Sequence, residues 1–258
     1  MNIVCGIEYD GTDYHGFQRQ PADRGPTVQG VIETAITRIS GETSVLHGAG
    51  RTDAGVHASG QVVNFHTGSR LPPQVWIRAL NAVLPNDIAV RWAKEVPERF
   101  HARYSALSRS YRYSIWNDAA PAALQARYSY HRPQLLSVDS MHDACQLLVG
   151  RKDFGAFGHS PDETNPRKPG PHHCIRTMLD ACCTRDGALV YCDFTADAFL
   201  TGMVRRIVGT LLLVGQNRMN LSEFAAIVRH ADKTHPGSAV PSRGLCLVQV
   251  TYPEEFGI

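Results

Sequence analysis

No stretch of this sequence approaches the roughly 20 consecutive apolar residues that a membrane-spanning helix requires. The longest candidate, Ile207 to Val214, is interrupted by Gly209 and Thr210 and follows Arg205 and Arg206. The opening residues, MNIVCGIEYD, have no basic start leading into an apolar segment, so a secretory signal is not expected and a cytoplasmic location is. The seven cysteines include no Cys-x-x-Cys pair. An odd count without paired spacing argues for reduced thiols over a disulfide framework. Cys174, Cys182, Cys183 and Cys192 lie near His172 and His173, yet adjacent cysteines at irregular gaps do not match the paired spacing of structural zinc sites. Cys183 and Cys192 read instead as small buried strand residues. Net charge is scarce as well, at +2, so the whole-molecule field gives little pull toward a polyanion.

What is present is an ordinary globular composition. With 258 residues, 43% hydrophobic and 19% charged, the chain can bury one large core or two modest ones. One segment stands apart. Between Arg99 and Arg132 there are six arginines and a single acid, Asp118, with Tyr104, Tyr111, Tyr113, Trp116, Tyr128 and Tyr130 interleaved. Guanidinium groups bind phosphates and aromatic rings stack on exposed bases, so this mixture suits an RNA surface. A strand-rich segment with a solvated basic face has the same composition, and both readings stand.

The first half of the chain reads as strand, helix, strand, strand, helix, strand. Ile3, Cys5, Ile7 and Tyr9 alternate with the period of a strand. Thr27 can cap a helix whose Val28, Ile32, Ala35 and Ile39 share a face. Short strands are expected at Ser44 to His47 and Gln61 to His66, flanking a glycine-containing loop. Pro72 and Pro73 open a second helix striped by Trp76, Leu80 and Val83, and Ile88, Val90 and Trp92 alternate again. The second half repeats this grammar: a strand through Tyr111, Tyr113 and Ile115, then a helix capped by Ser137 and closed by Gly150. A hairpin is expected from Leu179 to Thr195 about Arg185, Asp186 and Gly187, and helices from about Leu200 to Val214 and from Ser222. Leu245 to Thr251 closes the pattern as a strand. Each half approximates a split strand-helix-strand, ferredoxin-like arrangement, with a boundary near residues 103–108. Gly158 to Pro171 reads as a surface loop rich in proline and glycine.

The segment Gly48 to Phe65 carries the chemistry. It places Arg51 and Asp53 two apart among Gly48, Gly50 and Gly55, in the loop between two strand candidates. Glycines let the backbone turn sharply and a ligand approach closely. A carboxylate held there can act as nucleophile or general base. Read without further context, the same tripeptide is also a turn with a local ion pair.

The string AGRTDAGVHASGQVV, residues 49–63, resembles the signature of the tRNA pseudouridine synthases that act on the anticodon stem-loop, the tRNA pseudouridine synthase A family. YDGTDYHGFQRQP, NAVLPNDIAVRW, FHARYSALSRSYRY, AFLTGMVRRIVG and GLCLVQVTYP look like further blocks of that family in its order, from Tyr9 to Pro253. The resemblance implies an α+β fold of two ferredoxin-like (RRM-like) halves, 1–105 and 106–258, with mixed, mainly antiparallel sheets around a central RNA-binding cleft. It implies an isomerase that converts uridine to pseudouridine at positions 38, 39 and/or 40 of tRNA, without metal or cofactor, as a homodimer on the anticodon arm.

By position, the resemblance makes Asp53 the essential carboxylate. Arg51 would help hold the target nucleotide out of its stack, and Tyr111 would stack on the flipped uracil; by sequence alone Tyr113 is an equal candidate. Arg205, beside an apolar stripe, would pair with the aspartate and keep it ionised, where an isolated arginine snorkels to solvent. Leu245 would pack near the target base, and reads equally as a core strand residue. The Gly158–Pro171 loop is longer than the family pattern suggests, so no RNA contact is carried over to Arg167, Lys168 or Arg176. A non-catalytic RNA-binding module and an unrelated aspartate-dependent hydrolase are the competing readings; assaying tRNA for pseudouridine separates all three.

Overall fold

A computed structural model describes residues 1–159, 174–235 and 237–258. The chain forms a mixed α+β protein of two compact units, one made of Met1–Arg109 with Cys246–Ile258 and the other of Ser110–Leu245. The sequence division into 1–105 and 106–258 places the closing segment in the second half. Parallel pairing instead returns it to the first.

The first unit holds β1 (Asn2–Tyr9), α1 (Val28–Ser40), β2 (His47–Gly48), β3 (His57–His66), α2 (Pro73–Val83) and β4 (Ile88–Val96). The chain's last strand, β10 (Leu245–Thr251), pairs parallel to β3 through Cys246 and Leu247, giving the order β4-β1-β3-β10 with β2 alongside β3. β1 is buried along both faces, which its central place between antiparallel β3 and β4 explains. On one face Ile3 lies opposite Phe65, whose ring meets Trp76 of α2 edge-on at 5.1 Å. On the other, Val4 packs with Val62, Val96, Phe100, Ala102 and Tyr252. Buried Asn2 and Asn64 tie that side down: Asn2 donates to the carbonyls of Pro97 and Phe100, and Asn64 accepts from the Ala102 N–H.

Thr27 caps α1 as expected, its hydroxyl accepting from the Gly30 N–H. The buried stripe runs through Val28, Ile32, Ala35 and Ile36, leaving Ile39 half-buried. The strand expected at Ser44–His47 shrinks to His47–Gly48. Leu46 is withdrawn from the ladder because its N–H donates to the buried Glu33 carboxylate at 3.0 Å. Conversely, the strand expected from Gln61 starts at His57.

The second unit carries β5 (Ser108–Trp116), β6 (Tyr130–His131), α3 (Val138–Gln146), β7 (Gly150–Asp153), β8 (Ile175–Asp186), β9 (Leu189–Ala196), α4 (Met203–Gly215) and α5 (Leu221–His230). The strands run β5-β9-β8-β7, with β6 parallel to the end of β5. Ser137 caps α3, and Asn220 with Glu223 forms a capping box on α5. The β8–β9 turn falls one step later than expected, on Gly187 and Ala188, where Gly187 supplies a φ of +56°. α4 starts at Met203, not Leu200, since Gly202 takes a left-handed φ of +72° just before it. Cys183 and Cys192 are buried across that hairpin, their sulfurs 3.2 Å apart, with Cys145 3.5 Å from Cys183. No helix among the described residues is long and apolar enough to cross a membrane. His172, His173, Arg167, Lys168 and most of the Gly158–Pro171 loop lie outside the described residues.

Candidate functional site

The loop joining β2 to β3 carries Arg51 and Asp53, and its backbone is held at nearly every residue. Ala49 donates its N–H to the Val62 carbonyl at 2.8 Å. Its own carbonyl accepts from Nε and Nη2 of buried Arg109 at 3.2 and 3.0 Å. Gly50 is gripped on both sides by one amide: its N–H donates to Gln61 Oε1 (3.2 Å), and Gln61 Nε2 donates to its carbonyl (2.7 Å). The hydroxyls of Thr52 and Tyr9 are 2.8 Å apart, and the Thr52 carbonyl accepts from the Phe17 N–H at 3.0 Å. The Asp53 carbonyl accepts from Val56 at 3.1 Å, and Gly55, at φ +74°, donates to the Tyr14 carbonyl at 3.3 Å.

Strand register and burial explain this grip. β3 turns Gln61 inward on the face it shares with Ile7, its register partner on β1, and Gln61 is 0% exposed. A buried amide must find partners, and Gly50 supplies both. Burial holds the Tyr9 phenol well above its usual pKa, so its hydroxyl stays neutral at the end of this network. Gly16 lets the Tyr14–Phe17 segment approach: its φ is +97°, and a Cβ there would sit 2.9 Å from the Thr52 carbonyl oxygen. Gly16→Ala is therefore expected to cost about 1–3 kcal/mol, lowering Tm by about 2–4 °C per kcal/mol for a chain of this size. An unchanged melting curve would refute the close approach.

Within the loop, burial alternates. Thr52 is buried, Asp53 half-buried and Arg51 exposed. A half-buried carboxylate on a rigid backbone is placed to act on a ligand that enters from solvent. His57, at the start of β3, has its Nδ1 3.1 Å from both the Gly11 N–H and the Asp10 carboxylate. One ring nitrogen cannot accept from the first and donate to the second. The Gly11 N–H donates to Nδ1, which satisfies that buried backbone group.

Tyr111, Arg205 and Leu245 belong to the second unit. Tyr111 and Tyr113 share a face of β5, but their surroundings differ. Tyr113 is 0% exposed, its hydroxyl donates to the Pro241 carbonyl at 2.8 Å, and the Gly244 backbone lies against its ring. It is a core residue. Tyr111 is 8% exposed and meets Phe199 edge-on at 5.0 Å. Arg205 is half-buried on α4, with Nε donating to the Val240 carbonyl at 2.7 Å while its own carbonyl accepts from the Val240 N–H. Leu245, at the head of β10, is buried.

The arginine-rich segment divides. Arg109 is structural, donating to the Ala49, Ala106 and Arg103 carbonyls. Arg112 forms a two-pronged bond to Asp193 at 2.8 and 3.0 Å and lies over Tyr191, while Arg99 pairs with Glu255. Composition could not separate these from arginines open to a ligand. Gln61 and Arg109 both fall within the matched blocks, but a glutamine in a strand and one arginine of a basic run carry no mark of the loop they hold. Among the described residues no group of three or more His, Cys, Asp or Glu is arranged to hold a metal ion.

The family model of the tRNA pseudouridine synthases matches residues 7–105 and 144–253, which include the Asp53 loop, Arg205 and Leu245. A tRNA pseudouridine synthase A of Caldicellulosiruptor saccharolyticus is 43% identical over 251 residues, covering 97% of this chain and 99% of that one. The enzyme of that name from Moorella thermoacetica is 42% identical over 246 residues, covering 95% and 97%. That of Tolumonas auensis is 40% identical over 258 residues, covering 100% and 95%. Likeness at this level from end to end leaves one assignment, and the chain belongs to the tRNA pseudouridine synthase family.

Proposed function

We propose that this chain isomerises uridine to pseudouridine at positions 38, 39 and/or 40 of the tRNA anticodon stem-loop, with Asp53 as the catalytic carboxylate. The observation that carries the reading is the clamped loop of Ala49–Gly55, which presents a half-buried aspartate on a backbone anchored by Arg109, Gln61, Tyr9 and Phe17. The reaction breaks the bond from ribose C1′ to uracil N1 and forms one from C1′ to C5, while the C5 proton is lost and N1 gains one. Atoms and electrons balance without an oxidant or a cofactor. Asp53 can serve by adding to the uracil ring, by attacking C1′, or by removing the 2′ proton to give a glycal. Each route needs the ionised carboxylate.

Arg51, exposed beside Asp53, is proposed to hold the target nucleotide out of its stack; a guanidinium can offset part of the few kcal/mol that flipping costs. Arg205 is the cation that the family pattern pairs with the aspartate, and the Val240 carbonyl fixes its stem. Leu245 is proposed as apolar packing near the base. Tyr111 is proposed as the stacking platform, and full enclosure of Tyr113 supports that choice. Tyr111→Phe is expected to keep most of the binding, whereas Tyr111→Ala loses about 1–3 kcal/mol of base stacking. Equal affinity of the two variants for an anticodon stem-loop would move the platform to another ring. Each unit is proposed to be ferredoxin-like. A cytoplasmic homodimer is proposed with them.

The test is to incubate purified protein with unmodified tRNA transcripts and map pseudouridine by mass spectrometry. Conversion in the anticodon arm is expected. Binding without conversion would make the chain an RNA-binding module, and neither would favour the hydrolase reading.

A further inference from the structure

We infer that the second unit holds a separate phosphate-binding pocket, built on Arg132 and Arg218, that takes a backbone phosphate of the bound RNA. The inference rests on the proposed tRNA substrate and extends it to a site outside the Asp53 loop. Two adjoining cavities of about 280 and 390 Å³ share Arg132, Gln216 and Arg218 in their walls. Tyr130, Val240 and Pro241 also line the first, and Gln134 with the exposed Leu135 completes the second. Among the described residues no aspartate or glutamate lines either cavity, so the two guanidinium groups meet no carboxylate from them there.

The arginines are set differently. Arg132 is half-buried: its Nη1 donates to the Tyr130 hydroxyl at 3.1 Å and its guanidinium lies 5.4 Å over that ring, with Arg243 5.9 Å from the same ring. Its Nε is buried and has no hydrogen-bond partner among the described residues. Because that atom is closed to solvent, a ligand in the cavity is met by the terminal guanidinium nitrogens. Arg218 is exposed on the connection from α4 to α5. Helix α4 ends at this pocket, and its terminal carbonyls would repel an anion. They are met internally: Gln216, Asn217 and Arg218 donate their N–H groups to Leu212, Val214 and Leu213. The charge left facing the cavity is then positive, and the flanking glutamines can donate to oxygen.

Phosphate is the group that fits. Arginine forks bind it through paired donors, and the glutamine amides add neutral ones. Pockets that enclose whole small molecules measure about 300–1,000 Å³, so each cavity suits a phosphate with its sugar better than a folded peptide. Free inorganic phosphate offers the same chemistry, and a protein surface that seats Leu135 is the competing occupant.

The experiment measures tRNA binding by the full-length protein across a salt series, for the natural protein, Arg218→Gln and Arg132→Gln. Each variant is expected to bind severalfold more weakly and to flatten the slope of log K against log salt by about 0.7–0.9, the signature of one lost phosphate contact. Arg218 is exposed, so its variant folds whatever becomes of Arg132. An unchanged slope and affinity in Arg218→Gln and in a natively melting Arg132→Gln overturns the inference. So does a variant that alters self-association alone, and so does millimolar inorganic phosphate binding at these arginines while the RNA slopes stay equal. Natural protein that shows the slope effect yet leaves uridine unconverted sinks the proposed reaction and not this pocket.

Discussion

Asp53→Asn is expected to abolish pseudouridine formation while leaving tRNA affinity nearly unchanged. Asparagine keeps the shape of the side chain and removes the charge that every route through the carboxylate uses. Loss of a general base alone costs about 10²–10⁴-fold in rate, and loss of a nucleophile ends turnover outright. Affinity should persist because phosphate contacts supply most of the binding free energy to nucleic acid. The Asp53 carbonyl still accepts from Val56, so the loop should keep its turn. Single-turnover assays with saturating enzyme, paired with equilibrium binding, separate the two effects. If affinity falls with activity and the melting temperature drops, Asp53 is part of the scaffold instead. Asp53→Glu retains the charge but moves it by one methylene, and about 10²-fold loss is the expected cost of such displacement.

Gln61→Met is expected to lower the rate of conversion by about 10²-fold, with little change in KM. Methionine fills the space of glutamine and removes both bonds to Gly50, three residues before Asp53. The buried N–H and carbonyl then cost about 1–3 kcal/mol each if water does not reach them. The loop relaxes, and a misplacement of about 1 Å at the reacting atoms suffices for the rate loss. Gln61 lies fully buried, so it does not touch RNA and KM should hold. Gln61→Glu keeps an acceptor for the Gly50 N–H and loses the donor to its carbonyl, so an intermediate rate is expected. Equal rates for Met, Glu and Gln at position 61, with native melting, would show that the clamp has no part in positioning the aspartate.

The Asp53 loop was located from sequence because its residue types and order are distinctive, and local physics made its neighbours legible. β1 announced itself by period and α1 by Thr27 at its cap, and the last strand was expected from Leu245 to Thr251, where β10 lies. The grip on the loop was not legible. Arg109 and Gln61 lie 60 and 11 residues from the loop residues they hold, and pattern reading has no term for a hydrogen bond at that separation. Buried Glu33 accepts from the Leu46 N–H and cuts short the strand expected from Ser44 to His47.

Composition and motif by themselves determined the α+β class, the position of the candidate aspartate and the family of the chain. Each depends on residue types or short periods, which one-dimensional order preserves. Tertiary structure alone decided that β10 joins the first unit from Cys246 onward, that Tyr113 is sealed by Pro241 and Gly244, and that Arg109 serves the fold while Arg132 Nε is buried without a partner among the described residues. Those outcomes turn on burial and on which distant backbone groups remain to be paired. Both quantities exist only once the chain has closed on itself.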